Sequence, residues 1–148
     1  MSTNQIESRF VKFNGLKIHY DQAGRGPAII FVHGGGPGSS GLSNFSRNLL
    51  AFASRYRAIA IDLPGYGQST KLRIQEPLWG YYAKVLAGFI DALGLGKAHL
   101  VGNSMGGAAS LKTAIDFPEK VDRLVLMGPG GGYSLFGQQL SDGIRARS

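Results

Sequence analysis

Leu100–Ala109, LVGNSMGGAA, is the stretch whose reading decides the fold of this chain. An apolar run, Ala98 to Val101, leads into Gly102-Asn103-Ser104-Met105-Gly106, a G-x-S-x-G pattern, and small residues follow where a helix has to begin. This strand-to-helix spacing is that of a nucleophile elbow. A serine forced into so tight a turn projects its hydroxyl above the sheet, which requires almost no side-chain bulk on either side. Gly102, Gly106 and Gly107 supply that room. The turn also aims the first unpaired N–H groups of the new helix at the serine, so the Met105 N–H is expected to bind a developing oxyanion.

Around the elbow, 148 residues, 43% hydrophobic and 17% charged, fit one globular domain with a sizeable core and exclude the disordered and fibrous classes. Cysteine is absent, the N-terminal MSTNQIESRF lacks the apolar segment of a secretion signal, and no run approaches the roughly 18 apolar residues of a membrane span. A cytoplasmic protein without membrane contact is expected. The formal charge is +7, yet Lys and Arg are scattered singly apart from Arg145 and Arg147, so no nucleic-acid partner is expected. His19, His33 and His99 do not occur at ligand spacing, so neither a metal nor a cofactor is expected.

Upstream, Arg9 to Asp21 alternates apolar and polar residues on both sides of Asn14-Gly15, the pattern of a type I′ hairpin. His19 falls in its second strand and is expected to be half exposed. Ala28 to Val32, AIIFV, reads as a parallel strand buried on both faces. It runs into His33-Gly34-Gly35-Gly36-Pro37-Gly38, a loop with so little side chain that its backbone can approach a ligand and donate a second oxyanion N–H. A phosphate loop is a poorer reading, because no Gly-Lys-Ser/Thr follows.

Leu42 to Arg55 has helical apolar spacing, and Tyr56 to Leu63 is the next strand, stopped by Pro64-Gly65-Tyr66-Gly67. Asp62, at that strand's end, is expected to stabilise the turn more than to act as an acid. Leu78 to Leu93 reads as an amphipathic helix closed by Gly94 and Gly96, Ser104 to Phe117 as the helix behind the serine, and Val121 to Met127 as a further strand. Strands alternating with helices after an opening hairpin predict an α/β, doubly wound, mostly parallel sheet with an antiparallel N-terminal hairpin.

Four segments together, His33–Gly38, Asp62–Ser69 (DLPGYGQS), Gly102–Gly107 (GNSMGG) and Leu126–Gly131 (LMGPGG), resemble the α/β-hydrolase superfamily. More closely they resemble the meta-cleavage-product hydrolases, which cleave a carbon–carbon bond in dienoates formed during bacterial degradation of aromatic compounds and steroids. The resemblance implies that Ser104 is the nucleophile, that the Gly35 and Met105 N–H groups form the oxyanion hole with Gly36 nearby, and that Asn44 and Asn103 contact the dienoate. The residues alone leave another reading of the two amides open, in which they satisfy loop backbone groups.

In that family the triad acid and histidine follow the serine on later strands. The 148 residues are therefore expected to hold a truncated core: residues 1–136 the first six strands, and 137–148 a tail or the start of a lid, with the last strands and both triad partners absent. His99 precedes Ser104 by five residues on one strand, roughly 16 Å away at about 3.3 Å per residue, too far to be its base. His33, ending the neighbouring strand, is a possible base. The leading expectation is a C–C hydrolase with a small-molecule substrate. The alternatives are a generic carboxylesterase whose base is His33 or comes from a partner chain, and an inactive scaffold. A homodimer through the exposed strand 121–127 is also expected.

Overall fold

In the computed structural model of the chain, residues 5–129 are described. The hairpin forms as β1 (Glu7–Phe13) and β2 (Leu16–Ala23), and both turn residues take the positive φ that a type I′ turn demands, Asn14 at 49° and Gly15 at 75°. There follow β3 (Ala28–Val32), α1 (Gly41–Phe52), β4 (Arg57–Ile61), α2 (Leu78–Ala92), β5 (Ala98–Asn103), α3 (Met105–Asp116), a single 3₁₀ turn (Pro118–Lys120) and β6 (Val121–Met127). α1 starts one residue earlier and stops three earlier than the apolar spacing predicts. Its start is set by a capping box in which the Ser40 hydroxyl accepts from the Ser43 N–H and Ser43 reaches back to the Ser40 N–H.

The six strands form one sheet in the order β1-β2-β4-β3-β5-β6. β2 joins β4 antiparallel, and β4, β3, β5 and β6 run parallel. Helices cover both faces, so the sheet is doubly wound as expected. On one face Ile29, Phe31, Ala58 and Ala60 pack with Phe45 and Leu49 of α1. On the other, Ile30, Val32, Ile59 and Ile61 pack with Tyr82, Leu86, Phe89 and Ile90 of α2 and Ala109 of α3. All five residues of β3 are buried, which is why its sequence is unbroken by polar positions. Truncating one of these side chains, Leu86→Ala for example, costs about 2–5 kcal/mol.

Parallel strands end on one edge of the sheet, and this places the site. β3 delivers His33–Gly38, β4 delivers Asp62–Ser69 and β5 delivers Ser104 to the same carboxyl-terminal edge. β6 is the edge strand beyond β5 among the described residues, with Val125 and Met127 exposed. The expectations on Gly130, Gly131 and the 137–148 tail lie outside the described residues. No helix among those described is long and apolar enough to cross a membrane.

Candidate active site

Ser104 sits between β5 and α3 with φ 53° and ψ −114°, the left-handed side of the map that a non-glycine residue enters only under constraint. Its backbone is held from both sides. The Ser104 N–H donates to the Met127 carbonyl of β6 at 2.9 Å, and the Gly107 and Ala108 N–H groups donate back to the Ser104 carbonyl at 2.9 and 3.1 Å. A β-carbon at Gly102 would collide with the Gly106 backbone, and one at Gly106 with the Val32 and His33 carbonyls. The elbow is therefore a three-way backbone contact between β3, β5 and α3 that only glycine permits.

The His33–Gly38 loop lies against this turn. A β-carbon built on Gly34 would lie 3.7 Å from the Ser104 β-carbon, and one on Gly35 2.9 Å from the Met105 sulfur. Gly34 spends its N–H on Asn44 Oδ1 at 3.1 Å, whereas among the described residues nothing accepts from the N–H groups of Gly35, Gly36 or Met105. The three donors named for an oxyanion hole are therefore unspent. Asn103 Nδ2 approaches Asn44 Oδ1 at 3.5 Å, which joins both amides, Gly34 and Ser104 in one cluster. Asn44 does satisfy a loop backbone group, and its own Nδ2 donates to Ser43.

Tyr66 belongs to the same site, although its sequence context points only to a turn. Its hydroxyl donates to the Gly35 carbonyl at 3.2 Å and lies 3.7 Å from Met105 Sδ, while its ring meets His33 edge-on with centroids 5.0 Å apart. Because carbonyl and N–H point in opposite directions across a trans peptide, holding the Gly35 carbonyl also orients the Gly36 N–H. The loop bearing Tyr66 is tied down in turn by Tyr82 of α2, whose hydroxyl donates to the Pro64 carbonyl at 3.1 Å and is pushed up to about 12 by burial and the neighbouring Tyr66 and Tyr81.

His33 does not serve as a base in this arrangement. Its ring is fully buried; Nδ1–H donates to the Gly34 carbonyl at 2.7 Å and Nε2 accepts the Leu63 N–H at 3.0 Å, so no nitrogen remains to take the serine proton. Burial holds it below the ordinary histidine range, against the opposing pull of the Gly34 hydrogen bond and Asp62. His33 is a backbone tie between β3 and the loop after β4.

His19 also departs from expectation: it is 2% exposed, not half exposed. Alternation along β2 puts it and Asp21 on the α1 face, where Nδ1 lies 2.8 Å from Asp62 Oδ2 and Nε2 lies 2.7 Å from Ser8 Oγ. Asp62 has the structural role expected of it, on a wider scale. It also accepts the Gly41 N–H at 2.8 Å and the Gln68 N–H at 3.0 Å, binding the start of α1 and the Tyr66 loop to the hairpin. Asp21, buried beside this pair, is raised above the usual carboxylate range mainly by burial, with His19 opposing and Asp62 adding to the effect.

Comparison with known proteins places these features in a family. The family described as alpha/beta hydrolase fold matches residues 27–145. The chain is 46% identical over 145 residues to a 2-hydroxy-6-oxo-6-phenylhexa-2,4-dienoate hydrolase of Burkholderia cepacia, covering 93% of this chain and 51% of that protein. It is 45% identical to a 2-hydroxy-6-oxononadienedioate/2-hydroxy-6-oxononatrienedioate hydrolase of Comamonas testosteroni, with the same coverage of 93% and 51%. Among solved structures, a meta-cleavage product hydrolase from Pseudomonas fluorescens IP01 superposes with a TM-score of 0.78 at 35% identity, covering 83% of this chain and 45% of that one. The chain spans about half the length of the curated relatives it matches.

Proposed function

The chain belongs to the α/β-hydrolase family, and on that premise we propose that it carries the nucleophile of a C–C bond hydrolase acting on small meta-cleavage products, dienoates with a 2-hydroxy and a 6-oxo group. The observation that supports this best is the packing of the Gly34–Gly36 loop against Ser104 and Met105, with the Gly35, Gly36 and Met105 N–H groups finding no acceptor among the described residues. Both relatives above are named for substrates that share the 2-hydroxy-6-oxo head and differ beyond it.

In this reading the substrate enol first becomes its keto tautomer. Ser104, or a water it holds, then attacks the 6-oxo carbon, and the Met105 and Gly35 N–H groups stabilise the oxyanion, a contribution of about 3–4 kcal/mol per donor in acyl-transfer sites. The bond between that carbon and the dienoate breaks, its electron pair passing into the dienoate, which then takes a proton. Asn103 and Asn44 border the dienoate. His19, His33 and His99 are the three histidines of the sequence, and all are engaged or remote. The base for Ser104 is therefore assigned to polypeptide outside these 148 residues.

A chimera tests the reading: residues 1–129 joined to the remaining half of the Burkholderia cepacia relative, assayed by loss of dienoate absorbance. Cleavage is expected, and Ser104→Ala should lower kcat by about 10³-fold or more. A folded chimera whose turnover is indifferent to Ser104→Ala overturns it. For the 148-residue chain alone, β6 as an exposed edge supports a homodimer. Sedimentation as a stable monomer at micromolar concentration would overturn that part.

A further inference from the structure

One complete Ser–His–Asp hydrogen-bonded array exists among the described residues, and it does not include Ser104. Ser8 Oγ lies 2.7 Å from His19 Nε2, and His19 Nδ1 lies 2.8 Å from Asp62 Oδ2. A carboxylate only accepts, so Nδ1 carries a proton, and in the tautomer that leaves Nε2 unprotonated Nε2 receives the Ser8 O–H. That is the tautomer a general base needs, and both distances fall within the reach required for proton transfer. Asp62 is fixed for its orienting role by the Gly41 and Gln68 N–H groups, and Asp21 Oδ1, 3.8 Å from Nε2, adds a second carboxylate near any imidazolium formed.

The hairpin register explains why these groups share a face. Ser8 stands opposite Asp21, and Phe10 opposite His19. Ser8 is exposed while His19 and Asp62 are buried, so the serine is the exposed member of the array. Beside it, Phe10 is 45% exposed, its ring 5.0 Å from that of His19, with Lys17 Nζ 4.5 Å above it. An apolar ring next to a cation suits an aryl group that leaves with negative charge.

We propose that Ser8 is an acylation site, activated by His19 and Asp62, that accepts an acyl group from activated aryl esters. Ser8 Oγ bonds to the ester carbonyl carbon as its proton passes to His19 Nε2. The aryl oxide departs with the electron pair of its C–O bond and takes that proton, leaving acyl-Ser8, a phenol and neutral His19. The proposal concerns transfer to Ser8, not turnover, and does not depend on the reading of Ser104.

The test treats the Ser104→Ala chain with p-nitrophenyl acetate and follows acetylation by peptide mass. Ser46 and Ser54, also exposed, serve as internal references. Ser8 should be acetylated about 100-fold faster than either, the lower end of what a positioned general base supplies. His19→Gln should remove that advantage, and since this variant can lose its fold, the comparison of three serines within one folded protein decides by itself. Acetylation of Ser8 no faster than of Ser46 and Ser54 overturns the proposal.

Discussion

Ser104 and Ser8 divide between them what a serine nucleophile requires. Ser104 has position: a constrained backbone, N–H donors at Gly35, Gly36 and Met105 unspent among the described residues, and two amides at hand, but His33, which ends the neighbouring strand, has both ring nitrogens engaged. Ser8 has activation: a bonded imidazole and an oriented carboxylate, on an ordinary strand. The contrast teaches that an elbow is a local product of sequence, written in adjacent glycines, whereas a base is a product of topology, recruited from distant positions.

Asp62→Ala breaks both regions at once and should have the largest effect. It strips His19 of its partner and orphans the Gly41 and Gln68 N–H groups, costing about 4 kcal/mol in urea unfolding and abolishing any Ser8 advantage in acetylation. Gly106→Ala breaks the elbow only. Its β-carbon meets the Val32 and His33 carbonyls, so a loss of about 3 kcal/mol is expected from the same measurement, with the hairpin undisturbed in amide NMR.

Glycine at each serine sharpens the comparison. Ser104→Gly should raise stability by about 1 kcal/mol, because it releases a strained backbone. Ser8→Gly, in an extended strand, should lower it by about 1–3 kcal/mol, because it loosens the strand and removes the hydroxyl bonded to buried His19. Opposite signs in thermal unfolding mark one serine as constrained by its site and the other as not.

The smallest effect concerns His33. Its folded pKa is lowered by burial, so the neutral ring stabilises the fold at neutral pH, and this contribution is lost as pH falls below the ordinary 6.5 and through the lower folded value. Ring resonances of His33 should titrate below 6.5; a midpoint at or above 6.5 would contradict its assignment as a buried backbone tie.

Local patterns carried most of the fold. Val121–Met127 is a strand to the residue, α2 ends one residue before its expected limit, and Asn14-Gly15 makes the turn its identity demands. The elbow and its glycine loop were legible for the same reason: each is short and needs special backbone. His19 was not, because its partner Asp62 is 43 residues away and only the β2–β4 pairing brings them together. The alternation that places His19 and Asp21 on one face was the available signal. Tyr66 was missed similarly: its target, Gly35, lies 31 residues earlier on another strand's loop.

The division between position and activation is tested most directly by competition within one tube. The wild-type 148-residue chain is treated with p-nitrophenyl acetate and the initial rates at Ser8 and Ser104 are read by peptide mass. Ser8 should react first in this chain, and the order should reverse in the chimera carrying the second half of the Burkholderia cepacia relative. Ser104 reacting ahead of Ser8 in the chain by itself would contradict the account, since it would place a working base beside the elbow where the described histidines leave none.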